Sequence, residues 1–145
     1  QKLCAEFSFE IFSPHREDMN SSNNCSIVCK VTEPATGRTY PVTGDTEVNR
    51  WDSIVRYFGR VLRSDVLAAP HHGSENGISA AALSCIKPHT ILVSAGVQSQ
   101  YGHPHAAAKR LFNDHSQNWY ATNTGQGQSI RTVVDSAGIK SYKYK

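Results

Sequence analysis

The sequence predicts an α/β fold, and three features of its hydropathy pattern support that prediction. Apolar and polar side chains alternate around Phe7, Phe9 and Ile11, which is typical of a half-buried β-strand. Between Asn49 and Ser64 the spacing changes to that of an amphipathic helix. Beyond this segment, short apolar runs alternate with helical segments, as in parallel sheets that are covered on both faces.

The first third of the chain is expected to form strands. Residues 15–24 are polar and suit a surface loop after the first strand. Residues 26–32 and 38–43 have strand chemistry and flank the turn-forming stretch Pro34–Gly37. A β-hairpin is therefore predicted.

The helix between Asn49 and Ser64 is expected to bury one face. The apolar positions on that face are Trp51, Ile54, Val55, Phe58 and Leu62. Four arginines also lie in this segment, at positions 50, 56, 60 and 63. They could line a basic groove for a nucleic acid, but a solvated helix face is the preferred interpretation.

The remaining elements follow from short apolar runs and from Gly and Pro positions. Strands are predicted over residues 65–69, 90–95, 118–122, 129–134 and 139–144, and helices over 79–86 and 104–112.

Length and composition limit the class of protein. The 145 residues suit one domain or a half-domain, and a net charge of +3 is too small by itself to indicate nucleic-acid binding. Four cysteines without a CxxC motif predict free thiols in a reducing compartment, so a cytoplasmic location is favoured over a periplasmic or membrane-tethered parent. Residues Gln1 to Cys4 show no secretory signal, and no apolar run is long enough to span a membrane.

Polar residues follow three of the predicted strands. Asp45 follows one strand, His71 and His72 follow the next, and His103 comes shortly after residues 90–95. Because ligands collect at the carboxyl ends of strands in open α/β sheets, we expect these side chains to share one site.

Histidine placement indicates metal chemistry at this site. Four of the seven histidines lie in two turns, PHHGS at 70–74 and YGHPH at 101–105. Imidazole and carboxylate groups are ligands for divalent metals. The alternative for His71 and His72 is that they are surface histidines beside a glycine turn, and the alternative for Asp45 is that it caps the following helix. No HxHxDH motif is present, so further ligands must come from elsewhere or be absent.

Several motifs occur in an order that matches a known family. They are FEIFSP at 9–14, NNCSIV at 23–28, TGD at 43–45, DVLAAPHHGS at 65–74 and SAGVQSQYGHPH at 94–105. This arrangement resembles the metallo-β-lactamase-fold hydrolase domain of ComEC-type competence DNA-uptake proteins. The resemblance covers nearly the whole chain.

The resemblance implies that residues 1–145 are the C-terminal half of an αββα sandwich. The first half, which carries HxHxDH in that family, is not in this chain, and the lack of an initiator methionine favours a fragment or an excerpt. Two divalent ions, zinc or manganese, are expected in the complete protein. Asp45 matches the metal-bridging aspartate, and either His71 or His72 matches a metal-binding histidine. We expect His71 to be the ligand because it lies nearer the strand.

The resemblance also implies substrate and catalytic roles. His72 and His103 are expected to be catalytic, and Ser74 is expected to line the pocket. The residues expected to contact a substrate phosphate are Tyr101, Gly102, His103 and His105.

The implied function is a metal-dependent phosphodiesterase or nuclease that uses metal-activated hydroxide. Its expected partners are a nucleic acid or another phosphodiester and the missing N-terminal half, without which the chain should be inactive. An isolated half should also expose the apolar face meant for the other sheet. The alternatives are another metal-assisted ester hydrolase of the same fold and a metal-free binding module.

Overall fold

A computed structural model describes residues 7–145 and has the predicted α/β composition. The strands are β1 (Ser8–Ser13), β2 (Val28–Glu33), β3 (Arg38–Val42), β4 (Val66–Ala68), β5 (Thr90–Val93), β6 (Asn118–Ala121), β7 (Ser129–Asp135) and β8 (Gly138–Tyr144). The helices are α1 (Val48–Phe58), α2 (Ala80–Ile86) and α3 (Ala106–His115). The prediction about Gln1 to Cys4 lies outside the described residues.

The strands form three groups. β1, β2 and β3 are antiparallel neighbours, β4, β5 and β6 are parallel neighbours, and β7 pairs with β8 as an antiparallel hairpin. The parallel group has α2 between β4 and β5 and α3 between β5 and β6. These are β-helix-β connections, and they place the carboxyl ends of β4 and β5 at the same edge of the sheet.

Asp65 joins the first two groups of strands. Its carboxylate accepts hydrogen bonds from Arg38 Nη1 and from the Thr39 backbone N–H, both at 2.9 Å. Burial raises the pKa of Asp65, but the hydrogen bonds from Arg38 and Thr39 outweigh this effect and hold the pKa below its usual value. The charged form of Asp65 therefore stabilises the junction between β3 and β4.

Helix α1 packs on the core as its apolar spacing predicts. Trp51, Ile54 and Leu62 are buried, and the ring of Phe58 packs edge-on against Phe12 with centroids 4.9 Å apart. The α-helix is shorter than predicted and ends at Phe58, because the next residue is a glycine with a φ of 47°. The chain then continues as a 3₁₀ turn to Leu62.

The buried face of β1 is the opposite of the predicted one. Phe7, Phe9 and Ile11 are 40%, 54% and 67% exposed, whereas Phe12 and Ser13 are buried. The β1–β2 register shifts between Ile11 and Ser13, so that β1 has one extra residue there. This bulge turns two successive residues inwards, which simple alternation cannot predict.

The exposed face of β1 continues across the sheet. Directly paired residues share a face, and the two rows on this one are Phe9, Val31 and Tyr40, and Ile11, Cys29 and Val42. We call these six residues the open sheet face. Tyr40 and Val42 are 38% and 45% exposed, so the apolar surface extends from β1 to β3.

The polar segment at 15–24 is more than a solvated loop. It contains a 3₁₀ helix, Arg16–Asn20, whose Asp18 is buried. Asp18 accepts a hydrogen bond at 2.8 Å from Nε of Arg50, which is also buried. Both interpretations are therefore wrong for Arg50, the preferred solvated helix face as well as the exposed basic groove, because a buried carboxylate holds its guanidinium.

Within residues 7–145, no helix combines the length and apolar character needed to cross a membrane. Cys25, Cys29 and Cys85 are free thiols, and Cys25 is exposed.

Candidate functional site

One cleft of about 440 Å³ brings together five of the residues singled out in the sequence. They are Asp45, His71, His72, Tyr101 and His103. These residues follow β3, β4 and β5, so the cleft lies where the carboxyl ends of those strands meet.

The PHHGS turn has an unusual backbone. His71, His72 and Gly73 have φ angles of 48°, 55° and 80°, so three successive residues are left-handed. Each non-glycine residue in this conformation costs roughly 1–2 kcal/mol. Such strain persists where the surroundings impose it, often at functional sites. Here the His71 backbone N–H donates to the Gly44 carbonyl at 2.9 Å, which fastens this turn to the TGD segment.

His72 is the imidazole in contact with Asp45. Its Nδ1 lies 2.7 Å from the Ser94 carbonyl, which can only accept, so Nδ1 carries the proton. In the neutral ring, Nε2 then carries the lone pair, and it lies 3.4 Å from Asp45 Oδ1. Two ligand atoms each about 2.1 Å from one tetrahedral ion would be about 3.4 Å apart, so this pair fits two ligand positions of a divalent metal.

His71 lies deeper than His72, as expected, but its ring is turned another way. Its Nδ1 is buried without a hydrogen bond, 3.7 Å from Glu47 Oε1. This leaves Nε2 as the nitrogen available to the cleft. The sequence favoured His71 over His72 as the partner of Asp45, whereas the structure sets His72 against Asp45 because adjacent left-handed residues direct their side chains differently.

His103 lies at the centre of an aromatic cluster. The rings of His105, His71, Tyr101 and His72 have centroids 4.6, 5.7, 5.8 and 6.2 Å from its own. Burial, reinforced by the neighbouring imidazoles, lowers the pKa of His103 below the ordinary histidine value, against the opposite effect of the Asp45 carboxylate. The neutral ring, which has both a donor and an acceptor nitrogen, is therefore favoured.

His105 connects the two histidine turns. Its Nδ1 accepts from the Glu75 backbone N–H at 3.1 Å, and its Nε2 lies 2.8 Å from the Tyr101 carbonyl. Both ring nitrogens are thus used within the protein. His105 therefore has no free ring nitrogen with which to make the contact expected with a substrate.

Ser74 and Gly102 also differ from expectation. Ser74 is buried outside the cleft lining, and its hydroxyl accepts from the Asn76 backbone N–H at 3.3 Å. Gly102 has a φ of 64°, and a Cβ built there would meet nothing within 4 Å. Glycine is therefore needed at 102 for the backbone conformation, not for a close approach.

Sequence patterns did not single out Glu47 or the lining residues Ser94, Ala95, Gly96 and Ser99. All four lining residues lie in the SAGVQSQYGHPH motif, which was the available signal. Glu47 carried no signal beyond its position two residues after Asp45.

The described part of the chain does not contain three or more His, Cys, Asp or Glu side chains grouped so as to hold a metal ion. The cleft thus presents one carboxylate and one imidazole nitrogen in ligand geometry, with a second imidazole beside them.

The fold and the cleft define a mixed α/β chain with a histidine-rich site at the carboxyl ends of its strands. No protein-family model matches the chain. Three curated proteins are similar to it. It is 29% identical over 141 residues to ComE operon protein 3 of Bacillus subtilis, covering 97% of this chain and 16% of that protein.

It is also 32% identical over 137 residues to competence protein ComA of Neisseria gonorrhoeae, covering 94% of this chain and 19% of that protein. The match to recombination protein 2 of Haemophilus influenzae is 31% over 97 residues, covering 67% of this chain and 12% of that protein. The homologues of this chain are therefore competence proteins, as its motifs predicted. The chain spans less than a fifth of the length of each.

Proposed function

We propose that this chain is part of a metal-dependent phosphodiesterase or nuclease centre in a competence protein, with a metallo-β-lactamase-type fold completed by a preceding half. The observation that carries the proposal is the pairing of Asp45 Oδ1 with His72 Nε2 at 3.4 Å, in a cleft that also contains His71 and His103.

Asp45 and His72 are the residues of this chain that would hold a divalent ion, zinc or manganese, and His71 beside them would be available to a second ion. A catalytic zinc commonly has three protein ligands and one open position, and a two-metal site needs about six ligands. The remaining ligands would come from the preceding half. When bound, the metal would supply Lewis acidity and lower the pKa of a coordinated water.

His103 and Tyr101 are suited to the phosphate side of the cleft. The neutral form of His103 is favoured and its ring is central in the cleft, so its N–H can donate a hydrogen bond to a phosphate oxygen or to the leaving oxygen. Tyr101 is 64% exposed, and its ring stacks on His103. It can therefore contact a bound chain at the rim of the cleft.

The open sheet face supports the proposal that another layer completes the fold. Phe9 and Ile11 are more than half exposed, on a face that continues to Val42 on β3. Contiguous apolar surface of this kind marks an interaction site. In an αββα sandwich, this surface would pack against the sheet of the preceding half.

The competence homologues favour a nucleic acid over a small phosphoester as the substrate. Charge adds little to this choice, because the net charge of the chain is only +3. Recognition would depend on the cleft itself.

The test is metal analysis of the full-length protein together with a nuclease assay. We expect bound divalent metal and metal-dependent cleavage in the wild type, and loss of both in Asp45→Ala and His72→Ala. Asp52→Ala, which removes an exposed carboxylate on α1, is the matched control and should change neither. Equal metal content in the wild type and Asp45→Ala would refute the proposed ligand. Absence of metal in all of them would favour a metal-free binding module.

A further inference from the structure

The NNCSIV motif contacts the segment that carries Asp45. The Ser26 hydroxyl accepts from the Asp45 backbone N–H at 3.0 Å, and Asn24 Oδ1 accepts from the Glu47 backbone N–H at 3.1 Å. Asn23 Nδ2 donates to Glu47 Oε1 at 2.8 Å. Three side chains of this loop therefore hold the segment in place. Two of them fix the backbone at Asp45 and Glu47, and the third fixes one carboxylate oxygen of Glu47.

Glu47 lies at the start of α1, but its side chain does not cap the helix. It is the N-cap residue of α1, where short polar residues are preferred because they bond to the first backbone N–H groups. The Glu47 side chain makes no such bond. It extends instead between Asn23 and the ring of His71.

His71 presents the ring nitrogen that faces this carboxylate. Its Nδ1 is buried without a hydrogen bond, and Glu47 Oε1 faces it at 3.7 Å. A movement of about 0.8 Å would bring the two atoms to the usual hydrogen-bond length of about 2.9 Å. Leaving a buried polar atom unpaired costs roughly 1–3 kcal/mol, which favours that movement.

We infer that Glu47 is a positioning residue that holds His71 as the Nδ1–H tautomer and directs Nε2 into the cleft, with Asn23 fixing the carboxylate. A metal-binding histidine commonly donates its other ring N–H to a carboxylate, which sets the ring orientation. His72 has the equivalent arrangement with the Ser94 carbonyl. The metal-binding role of Nε2 rests on the proposed function, whereas the tautomer does not.

Long-range proton–nitrogen NMR correlation on the isotope-labelled chain, at a mildly alkaline pH where imidazoles are neutral, identifies the protonated nitrogen of His71. We expect Nδ1–H in the wild type and loss of that tautomer in Glu47→Leu. Glu47→Gln keeps an acceptor oxygen and should restore it. A structural N-cap role predicts no difference between Leu and Gln, since neither caps the helix.

Asn23→Ala is the second variant, and it should reduce the Nδ1–H population without touching Glu47. Asp52→Leu is the control and should leave His71 unchanged. A wild-type His71 in the Nε2–H form would overturn the inference. So would a His71 tautomer that is the same in Glu47→Leu as in the wild type.

Titration of the full-length protein with zinc or manganese separates this inference from the proposed function. Loss of the Glu47 contact should weaken metal binding roughly 10–100-fold, with Glu47→Gln intermediate. A tautomer that depends on Glu47 in a protein without metal-dependent hydrolysis would keep the positioning role and refute the function. Metal-dependent hydrolysis in a protein whose His71 tautomer does not depend on Glu47 would support the proposed function and refute the positioning role.

Discussion

Replacing Gly73 by alanine should strongly destabilise the protein and separate the two histidine turns. Gly73 has a φ of 80°, and a Cβ built there would lie 2.6 Å from Pro104 Cβ and 3.4 Å from Val93 Cγ1. Left-handed backbone costs an alanine roughly 1–2 kcal/mol, and forcing an extra carbon into a packed contact costs roughly 1–3 kcal/mol. The expected loss is therefore about 2–5 kcal/mol.

Chemical denaturation of the chain, followed by circular dichroism, measures this loss as a change in the free energy of unfolding. Gly37→Ala and Gly102→Ala are matched controls, because their φ angles are 69° and 64° and nothing lies within 4 Å of either Cβ. Both should lose only the backbone cost, about 1–2 kcal/mol. If all three variants lose the same free energy, Pro104 does not pack closely against Gly73.

Three further predictions follow from the site and the core. His103→Ala in the full-length protein should lower phosphodiester cleavage by roughly 10²–10³ without changing metal content, whereas His71→Ala should lower both. Asp65→Asn should cost about 1–3 kcal/mol at neutral pH, because it removes a charged acceptor. The lowered pKa means that wild-type Asp65 stabilises the fold above about pH 4 and that this contribution is lost on further acidification. Phe58→Ala should cost about 2–3 kcal/mol in denaturation, less than full burial would, because Phe58 is half-buried against Phe12.

Each of these predictions has a contrary outcome. Loss of metal together with activity in His103→Ala would make His103 a ligand. An Asp65→Asn deficit that does not shrink at low pH would exclude the charged carboxylate as its cause, and Asp114→Asn on the exposed surface of α3 is the control. A loss well below about 1 kcal/mol in Phe58→Ala would show that its ring does not pack on the core.

Local patterns were sufficient to predict the strands, the α-helices and the convergence of polar residues on one cleft. Helical spacing identified the buried face of α1 because side chains three and four residues apart share one side of a helix. Apolar runs between Gly and Pro residues located the strands β4 and β5. Since polar residues followed those strands, the convergence of Asp45, His72 and His103 at one edge could be predicted from chain order.

The buried face of β1 could not be predicted in this way. Both faces of a short strand offer apolar side chains, and the choice depends on the bulge at Phe12 and on where α1 packs. Arg50 shows the same limit. From the sequence, an arginine on a helix surface is expected to face solvent. Only the packing of a separate segment places Asp18 against Arg50.

Within the site, the sequence alone determined which residue types gather and tertiary structure decided their roles. Asp45 meets His72 and not His71, both nitrogens of His105 are used between turns, and Glu47 faces His71. These outcomes depend on left-handed backbone angles and on hydrogen bonds between residues far apart in the chain. Residue spacing carries no information about either, because both are set by how separate loops pack together.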